Sequence, residues 1–398
     1  MKPRVLIVST YYHPVIGGVE SHARQLARSL RARGFPVEVV TKRADRHDSP
    51  VEAIDGVPVH RIAPAGDRRP SGKWLVIPNL WLTLRQMRSQ ADVIVCVDFR
   101  GIGVAAIATG LPVIAQAEVA GVLAGADGKS ISGLAPETIV TKALKAPVRS
   151  VYRHAAAVVC IGRDLEREAL RAGWPRDRVT YLPHGVEVDR FRPADARERD
   201  RLRSDIGWPR TTPIVLFVGR LSREKGVMDL LEAWGLANRG DAILALVGPD
   251  MMGHPWDAGA PGRAFVAAKG LAGSVRFEGA RPDPERFYRA ADIFVQPSHF
   301  EALGNTAIEA MASGLAVVSS GVGGLADFCI DNVNAVLSEP RSPRSLAGAI
   351  ETLLGDSALR ARLGAAARTT AVEQFELQAL MDRYAALVEQ VSQGAPVP

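Results

Sequence analysis

The 398 residues, 47% hydrophobic and 23% charged, make a globular chain too long for one core of typical size, so two domains are expected. No apolar stretch reaches the ~20 residues of a membrane span, MKPRVLIVST leads into strand-like sequence rather than a secretory signal, and Cys96, Cys160 and Cys329 form neither a disulfide framework nor a metal-ligand spacing, which points to buried thiols in a cytoplasmic protein. The net charge of +6 is uneven, with 26 Lys+Arg against 16 Asp+Glu in residues 1–182 (net +10) and 23 against 27 in the rest (net −4). The first half either faces something anionic, a phosphorylated ligand or an acidic membrane surface, or carries Arg-rich solvated helices, while dispersed basic residues and scarce aromatics argue against nucleic acid.

In chain order, the first half alternates β-rich runs with helical patterns, the mark of a doubly wound parallel sheet in an α/β protein. VLIVST (5–10), PVEVVT (36–41), VPVHRI (57–62), DVIVCVD (92–98), PVIAQ (112–116) and AVVCI (157–161) read as strands. Between the first two, Val19, Ala23, Leu26, Ala27 and Leu30 recur at helical spacing, and Gly34 ends the run. The segment RRPSGKWLVIPNLWLTLRQMRS (68–89) mixes basic residues with Trp74, Trp81 and several Leu at roughly helical spacing. It is either a core-facing helix with a solvated basic face or an amphipathic helix that docks on an anionic bilayer. Residues 183–212 look like a crossover followed by a solvated, charge-dense helix. The pattern restarts at PIVLFVG (213–219), GVMDLLEAWGLANRG and ILALVG, and runs through SVRF, DIFVQP, LAVVSS and NAVLS to helical sequence from about Ser345 to Ser392.

Two open parallel sheets face to face turn the carboxyl ends of their strands toward a shared cleft, so ligands are expected at the loops that follow the strands. After the first strand, Gly17 and Gly18 precede a helix beginning near Val19 or Glu20, where missing side chains let backbone N–H groups approach an anion, although such a pair also serves as a plain turn. In the equivalent loop of the second half, VGRLSREKG (218–226), Arg220 and Lys225 lie between a strand end and a helix N-terminus, a donor set suited to a diphosphate. In HFEALGNTAIEAMASG (299–314) a helix should start near Asn305 or Thr306. Thr306 and Glu309 have the spacing of a capping box, which would make Glu309 a helix cap and Glu301 a solvated loop residue. The alternative is that both carboxylates accept hydrogen bonds from sugar hydroxyls.

Together these residues resemble the retaining family-4 glycosyltransferases of GT-B fold, over nearly the whole chain. The resemblance rests on GGVE (17–20), PHGVEVDRF (183–191), VGRLSREKG (218–226), VRFEGA (275–280) and PSHFEALGNTAIEAMASGLAVVSSGVGGLADF (297–328), which holds the family's two Glu separated by seven residues. It implies two Rossmann-like domains about a central cleft: residues 1–182 on the acceptor side and 183–373 on the nucleotide-sugar side, with a helix of about 374–392 packing back on the first. It also implies that Arg220 and Lys225 hold the donor's diphosphate, with Gly17 and Gly18 near the same phosphates. By the same carry-over Glu309 grips the ribose hydroxyls, Glu301 contacts the transferred sugar, backbone N–H groups of Leu303, Gly304 and Asn305 complete the cradle, and the strand end from Arg276 to Gly279 receives the nucleobase. One position departs from the pattern. Many relatives have a His where PVIAQAEVAG places Glu118, so Glu118 takes over a sugar contact or the acceptor site is built differently; nothing in the sequence lets His13 substitute.

The implied reaction moves a sugar from a UDP- or GDP-linked donor to a hydroxyl acceptor, anionic or lipid-linked acceptors included, with retention at the anomeric carbon. Charge gathering on the β-phosphate would meet Arg220, Lys225 and a helix N-terminus. No Asp-x-Asp pair in a suitable loop demands a metal, and no cofactor is expected. The expected place is the cytoplasm, with peripheral contact at the inner membrane face. An epimerase or phosphorylase of the same fold, or a non-catalytic nucleotide-sugar-binding protein, stands as the alternative.

Overall fold

The computed structural model describes residues 1–15, 17–65, 70–99, 101–124 and 138–395. They divide into two units, Met1–His184 with Gln378–Pro398, and Gly185–Leu377.

The first unit runs β1 (Val5–Ser9), α1 (Gly18–Ala32), β2 (Val37–Lys42), β3 (Val51–Ile54), β4 (Val57–Ile62), α2 (Pro70–Gln86), β5 (Val93–Cys96), α3 (Gly101–Ile107), β6 (Val113–Ala117), α4 (Ile139–Tyr152), β7 (Ala157–Cys160), α5 (Arg163–Arg171) and β8 (Val179–Tyr181). The strands lie in the order β3-β4-β2-β1-β5-β6-β7-β8, all parallel except β3. Runs such as VLIVS and VIVC are buried along their whole length, as parallel strands covered on both faces must be. Two strands were not expected. β3 is four residues long and largely exposed, and it pairs with β4 through an Asp55-Gly56 turn with φ of 53° and 75°, the two-residue turn that matches strand twist. β8 is a three-residue edge strand.

The 68–89 segment forms α2, which buries Val76, Leu80 and Leu84 at helical spacing, the core-facing arrangement. Arg68 and Arg69 lie outside the described residues, as does the side chain of Trp74. Among the described residues no helix is long and apolar enough to cross a membrane. All three cysteines are buried and unpaired, and burial pushes their thiols up.

The second unit runs α6 (Ala196–Ile206), β9 (Ile214–Val218), α7 (Val227–Leu236), β10 (Ile243–Val247), α8 (Gly259–Ala268), β11 (Val275–Gly279), α9 (Pro284–Ala290), β12 (Ile293–Gln296), α10 (Asn305–Ala312), β13 (Ala316–Ser319), β14 (Ala335–Leu337), α11 (Pro343–Gly355) and α12 (Ser357–Phe375). Its parallel strands lie in the order β11-β10-β9-β12-β13-β14. Phe217, Leu231, Trp234 and Leu244 anchor the core, and the Trp234 indole N–H is satisfied by Ser274 Oγ at 3.1 Å. The helical sequence after Ser345 is not one element. Asp356 caps α12 by accepting from Leu359 N at 2.8 Å, and Glu376 separates it from α13 (Leu377–Ser392). Most of α13 belongs to the first unit, where Asp382 pairs with Arg33 at 2.7 Å and Tyr384 donates to Gln116 at 3.0 Å.

Candidate functional site

In each sheet the chain builds outward from one strand and then returns to its other side, so β1 is flanked by β2 and β5, and β9 by β10 and β12. At such a reversal the loops leaving the two neighbouring strands open a crevice at their carboxyl ends, where ligands bind in this sheet type. In the second unit those loops follow β9 and β12 and contain the sequence-predicted Arg220, Lys225 and Glu301.

The two loops are fastened through their backbones. His299 N donates to Glu224 O at 2.8 Å. Gly226, at φ 72°, passes so close to Pro297 that a Cβ there would collide with the Pro297 carbonyl oxygen. Arg223–Lys225 form a 3₁₀ turn, from which Lys225 Nζ donates to Glu301 Oε1 at 2.7 Å. The same oxygen accepts from Gln296 Nε2 at 2.6 Å and Ser298 Oγ at 2.8 Å, while the Gln296 oxygen accepts from Thr306 Oγ1 at 2.6 Å. Glu301 is 7% exposed, so one ammonium and two neutral donors hold a buried carboxylate in a fixed orientation. Arg220 is more exposed and bonds Glu224 at 2.7 Å. Replacing Gly226 with Ala should destabilise the protein by about 2 kcal/mol or more, because positive φ and the Pro297 collision add. It should also cut activity by displacing Lys225; urea unfolding beside an activity assay would read both.

The capping box is not formed. α10 starts at Asn305, with Gly304 as its N-cap at φ 103° and no side-chain cap, which places Thr306 at the second helical position. Leu325 occupies the space a Cβ on residue 304 would need, so glycine sets the left-handed turn and the helix begins too early for Thr306 to cap it. Thr306 turns instead to Gln296, and Glu309 Oε2 accepts from the Tyr288 hydroxyl at 2.8 Å. The helix therefore presents its positive end beside Leu303 and Gly304, an arrangement that favours an anion. Behind it, Gly324 N donates to Glu301 O at 3.0 Å, which fixes the loop. Burial lifts Glu309 to about 7, with the Tyr288 hydrogen bond pulling the other way.

The Arg276 guanidinium donates to the Gly207 carbonyl at 2.7 Å, joining β11 to the end of α6. Gly279, at φ 73°, ends β11 with its carbonyl accepting from Gly248 N at 2.8 Å.

The remaining predicted residues belong to the first unit. Gly17 is the N-cap of α1 and Gly18 its first residue. At the β1/β5 crevice the Thr10 hydroxyl donates to Asp98 Oδ2 at 2.8 Å; Asp98 is buried and sits at φ 62°, a left-handed conformation unusual for a non-glycine residue. Glu118, directly after β6, is buried, and its Oε1 lies 3.1 Å from His184 Nε2 and 2.6 Å from Gln116 Nε2. Burial works against ionising Glu118, yet His184 beside it and the hydrogen bonds it accepts hold its carboxyl below the usual carboxylate range. The following loop is pinned by Glu168, which accepts from the backbone N–H of Gly121, Leu123 and Ala124 at 2.7, 2.8 and 2.9 Å.

His22, Glu118 and His184 bring metal-ligating atoms within 4.8 Å of one another. The two imidazoles, however, are stacked, with centroids 3.8 Å apart and planes 12° from parallel, so their in-plane lone pairs do not converge on one ion as coordination requires. Burial, reinforced by His184, pushes His22 down to about 3, which keeps that ring neutral.

Gln296, Ser298, Tyr288, His184 and Asp98 were missed in the sequence. Gln296 carried a usable signal: an amide closing the apolar strand IFVQ has to find partners inside the fold.

The family model for glycosyl transferases group 1 matches residues 198–370, and that for the glycosyl transferase 4-like domain matches residues 17–185. The D-inositol 3-phosphate glycosyltransferase of Xylanimonas cellulosilytica is 30% identical over 401 residues, spanning 92% of this chain and 92% of that protein. Among solved structures, sucrose-phosphate synthase from Thermosynechococcus elongatus superimposes with a TM-score of 0.82 at 24% identity, covering 99% of this chain and 100% of that one. HepE from Anabaena, in complex with UDP and glucose, gives 0.77 at 20% identity, covering 97% and 99%.

Proposed function

Because the chain belongs to the group 1 glycosyl transferases and is a glycosyltransferase of GT-B fold, we propose that it moves a hexosyl unit from a UDP- or GDP-sugar to a hydroxyl acceptor, with retention at the anomeric carbon and without a metal ion. The observation that carries this is the network Lys225–Glu301–Gln296–Thr306, which joins the loops after β9 and β12 at the start of α10.

In this proposal Lys225, Arg220 and the N-terminus of α10 receive the diphosphate. As the bond from the anomeric carbon to the β-phosphate oxygen breaks, negative charge grows on that phosphate, and fixed cations and N–H groups stabilise it without reorganising. The acceptor oxygen forms its bond to the same face of the sugar, and its proton passes to the departing phosphate. Glu301 Oε1 is held by three donors, so Oε2 is the atom we assign to the sugar hydroxyls. Glu309, with Oε2 on Tyr288, is assigned to the ribose. Backbone N–H groups of Leu303, Gly304 and Asn305 complete the cradle, and Gly279 at the end of β11 lies where we place the base. HepE was solved with UDP, which supports a uridine donor. The acceptor in the relative's name is an inositol phosphate, and the net +10 of residues 1–182 fits an acceptor of that charge.

Incubation with UDP- and GDP-sugars should release nucleotide diphosphate only when a polyol or polyol-phosphate acceptor is present, and chelation with EDTA should leave that rate unchanged. Acceptor-independent conversion of the donor to an isomer would replace the transferase reading with an epimerase. Loss of the rate on chelation, with recovery on adding magnesium or manganese, would overturn metal independence.

A further inference from the structure

The second unit carries a cavity of about 300 Å³ away from the loops that follow β9 and β12, among α6, α9, the start of β13 and the start of α12. This lies at the lower bound of small-ligand pockets, ~300–1,000 Å³. Its wall includes Arg199, Arg289, Arg360 and Ser357. The guanidiniums around it outnumber the carboxylates bonded to them. Asp292 serves both Arg199 and Arg203, and Glu198 serves both Arg192 and Arg289. Arg360 gives its Nη1 to backbone carbonyls, Leu353 O at 2.5 Å and Leu354 O at 3.0 Å. Asp195 and Asp200 act on Arg289 and Arg199 through space. Burial lowers Arg199 and Arg289, and each is lowered further by a neighbouring arginine, Arg360 and Arg192 respectively. Arg289 Nε is buried without a hydrogen-bond partner. A cavity walled by more guanidiniums than the carboxylates bonded to them is the environment that an oxyanion relieves, since one dianion accepts several charge-assisted bonds and screens arginines from one another.

We propose that this cavity is a binding site for a phosphate-class dianion, inorganic phosphate or the phosphoryl group of a small molecule, held by Arg199, Arg289 and Arg360 with the Ser357 hydroxyl. Tyr288, whose hydroxyl bonds Glu309, also lines this cavity, so the two sites share that side chain, but the proposal does not depend on the function proposed above. Phosphate would also bind the donor loops, so the test uses the full chain carrying Arg220→Ala and Lys225→Ala, titrated calorimetrically with inorganic phosphate and, separately, with glycerol phosphate. One-to-one binding is expected, weakened at least about tenfold by either Arg289→Gln or Arg360→Gln. Arg289→Lys keeps a charge opposite Glu198 but loses Nε and the planar fork, so it tests the site even if the Gln variant fails to fold; it too should bind more weakly. Tighter binding of glycerol phosphate would identify the occupant as a phosphorylated molecule, and equal binding would identify phosphate itself. No binding of either probe, or binding that the three substitutions leave unchanged, would overturn the proposal.

Discussion

Replacing Lys225 with Met should lower turnover roughly 100- to 1,000-fold, the loss seen when one fixed donor to a developing oxyanion is removed. The structure adds a consequence for stability. Lys225 is the ammonium on Glu301 Oε1, and Glu301 is buried, so the single substitution strands a carboxylate and should cost about 3 kcal/mol. The double variant Lys225→Met/Glu301→Gln separates the two roles. It removes the stranded charge and should regain most of the lost stability, yet regain none of the turnover. If the lysine served only to hold the loop, turnover per folded molecule would stay near the parent value in the single variant, and the diphosphate assignment would fail.

The second large effect is expected at Glu309. Its carboxyl is lifted to about 7 from an ordinary 4.5, chiefly by burial. The folded protein therefore binds this proton more tightly than the unfolded chain does. That contribution to stability is complete below about 4.5 and is lost as pH rises through about 7, up to about 3 kcal/mol across the window. Glu309→Gln cannot ionise, so its unfolding free energy should exceed the parent's at pH 8 and match it at pH 4. A capping role would have predicted lower stability at both. Donor affinity should move the opposite way: the variant loses the ionised acceptor that we assign to the ribose, and the parent should bind donor more weakly as pH falls from about 8 to about 6. Paired melts and donor titrations at the three pH values measure this. A variant that is less stable at pH 8 and binds donor normally would contradict both parts.

The strands that build the two sheets were legible because a parallel strand buried on both faces is a continuous apolar run, as in VLIVS and IVLFV. β3 was not, since it is exposed on the sheet edge and its residues follow no burial pattern; only the Asp55-Gly56 turn announced it. In the helical run after Ser345, Gly355-Asp356-Ser357 carried a stop-and-cap signal that went unread, while Glu376 is a single polar residue between helix-forming Phe375 and Leu377. At the site, Arg220 and Lys225 were legible from their position after a strand, whereas Glu301 was singled out by the family resemblance, since its loop position alone also fits a solvated carboxylate. Their partners were not legible. That Glu301 meets Lys225 depends on β12 lying beside β9, a matter of strand order that no local pattern encodes. The Thr306–Glu309 spacing was genuine but misleading, because Gly304 decides where α10 begins. The buried His22–His184 stack on Glu118 also joins residues distant in sequence.

The loops after β9 and β12 are assigned the diphosphate of a nucleotide sugar. Calorimetric titration of UDP and GDP into the parent protein and into the Arg220→Ala/Lys225→Met variant, with folding of both verified, tests this assignment most directly. At least one nucleotide should bind one-to-one to the parent, with a loss of roughly 3 kcal/mol or more of binding free energy in the variant, as expected for two charge-assisted contacts. Equal affinity in the two proteins would contradict it.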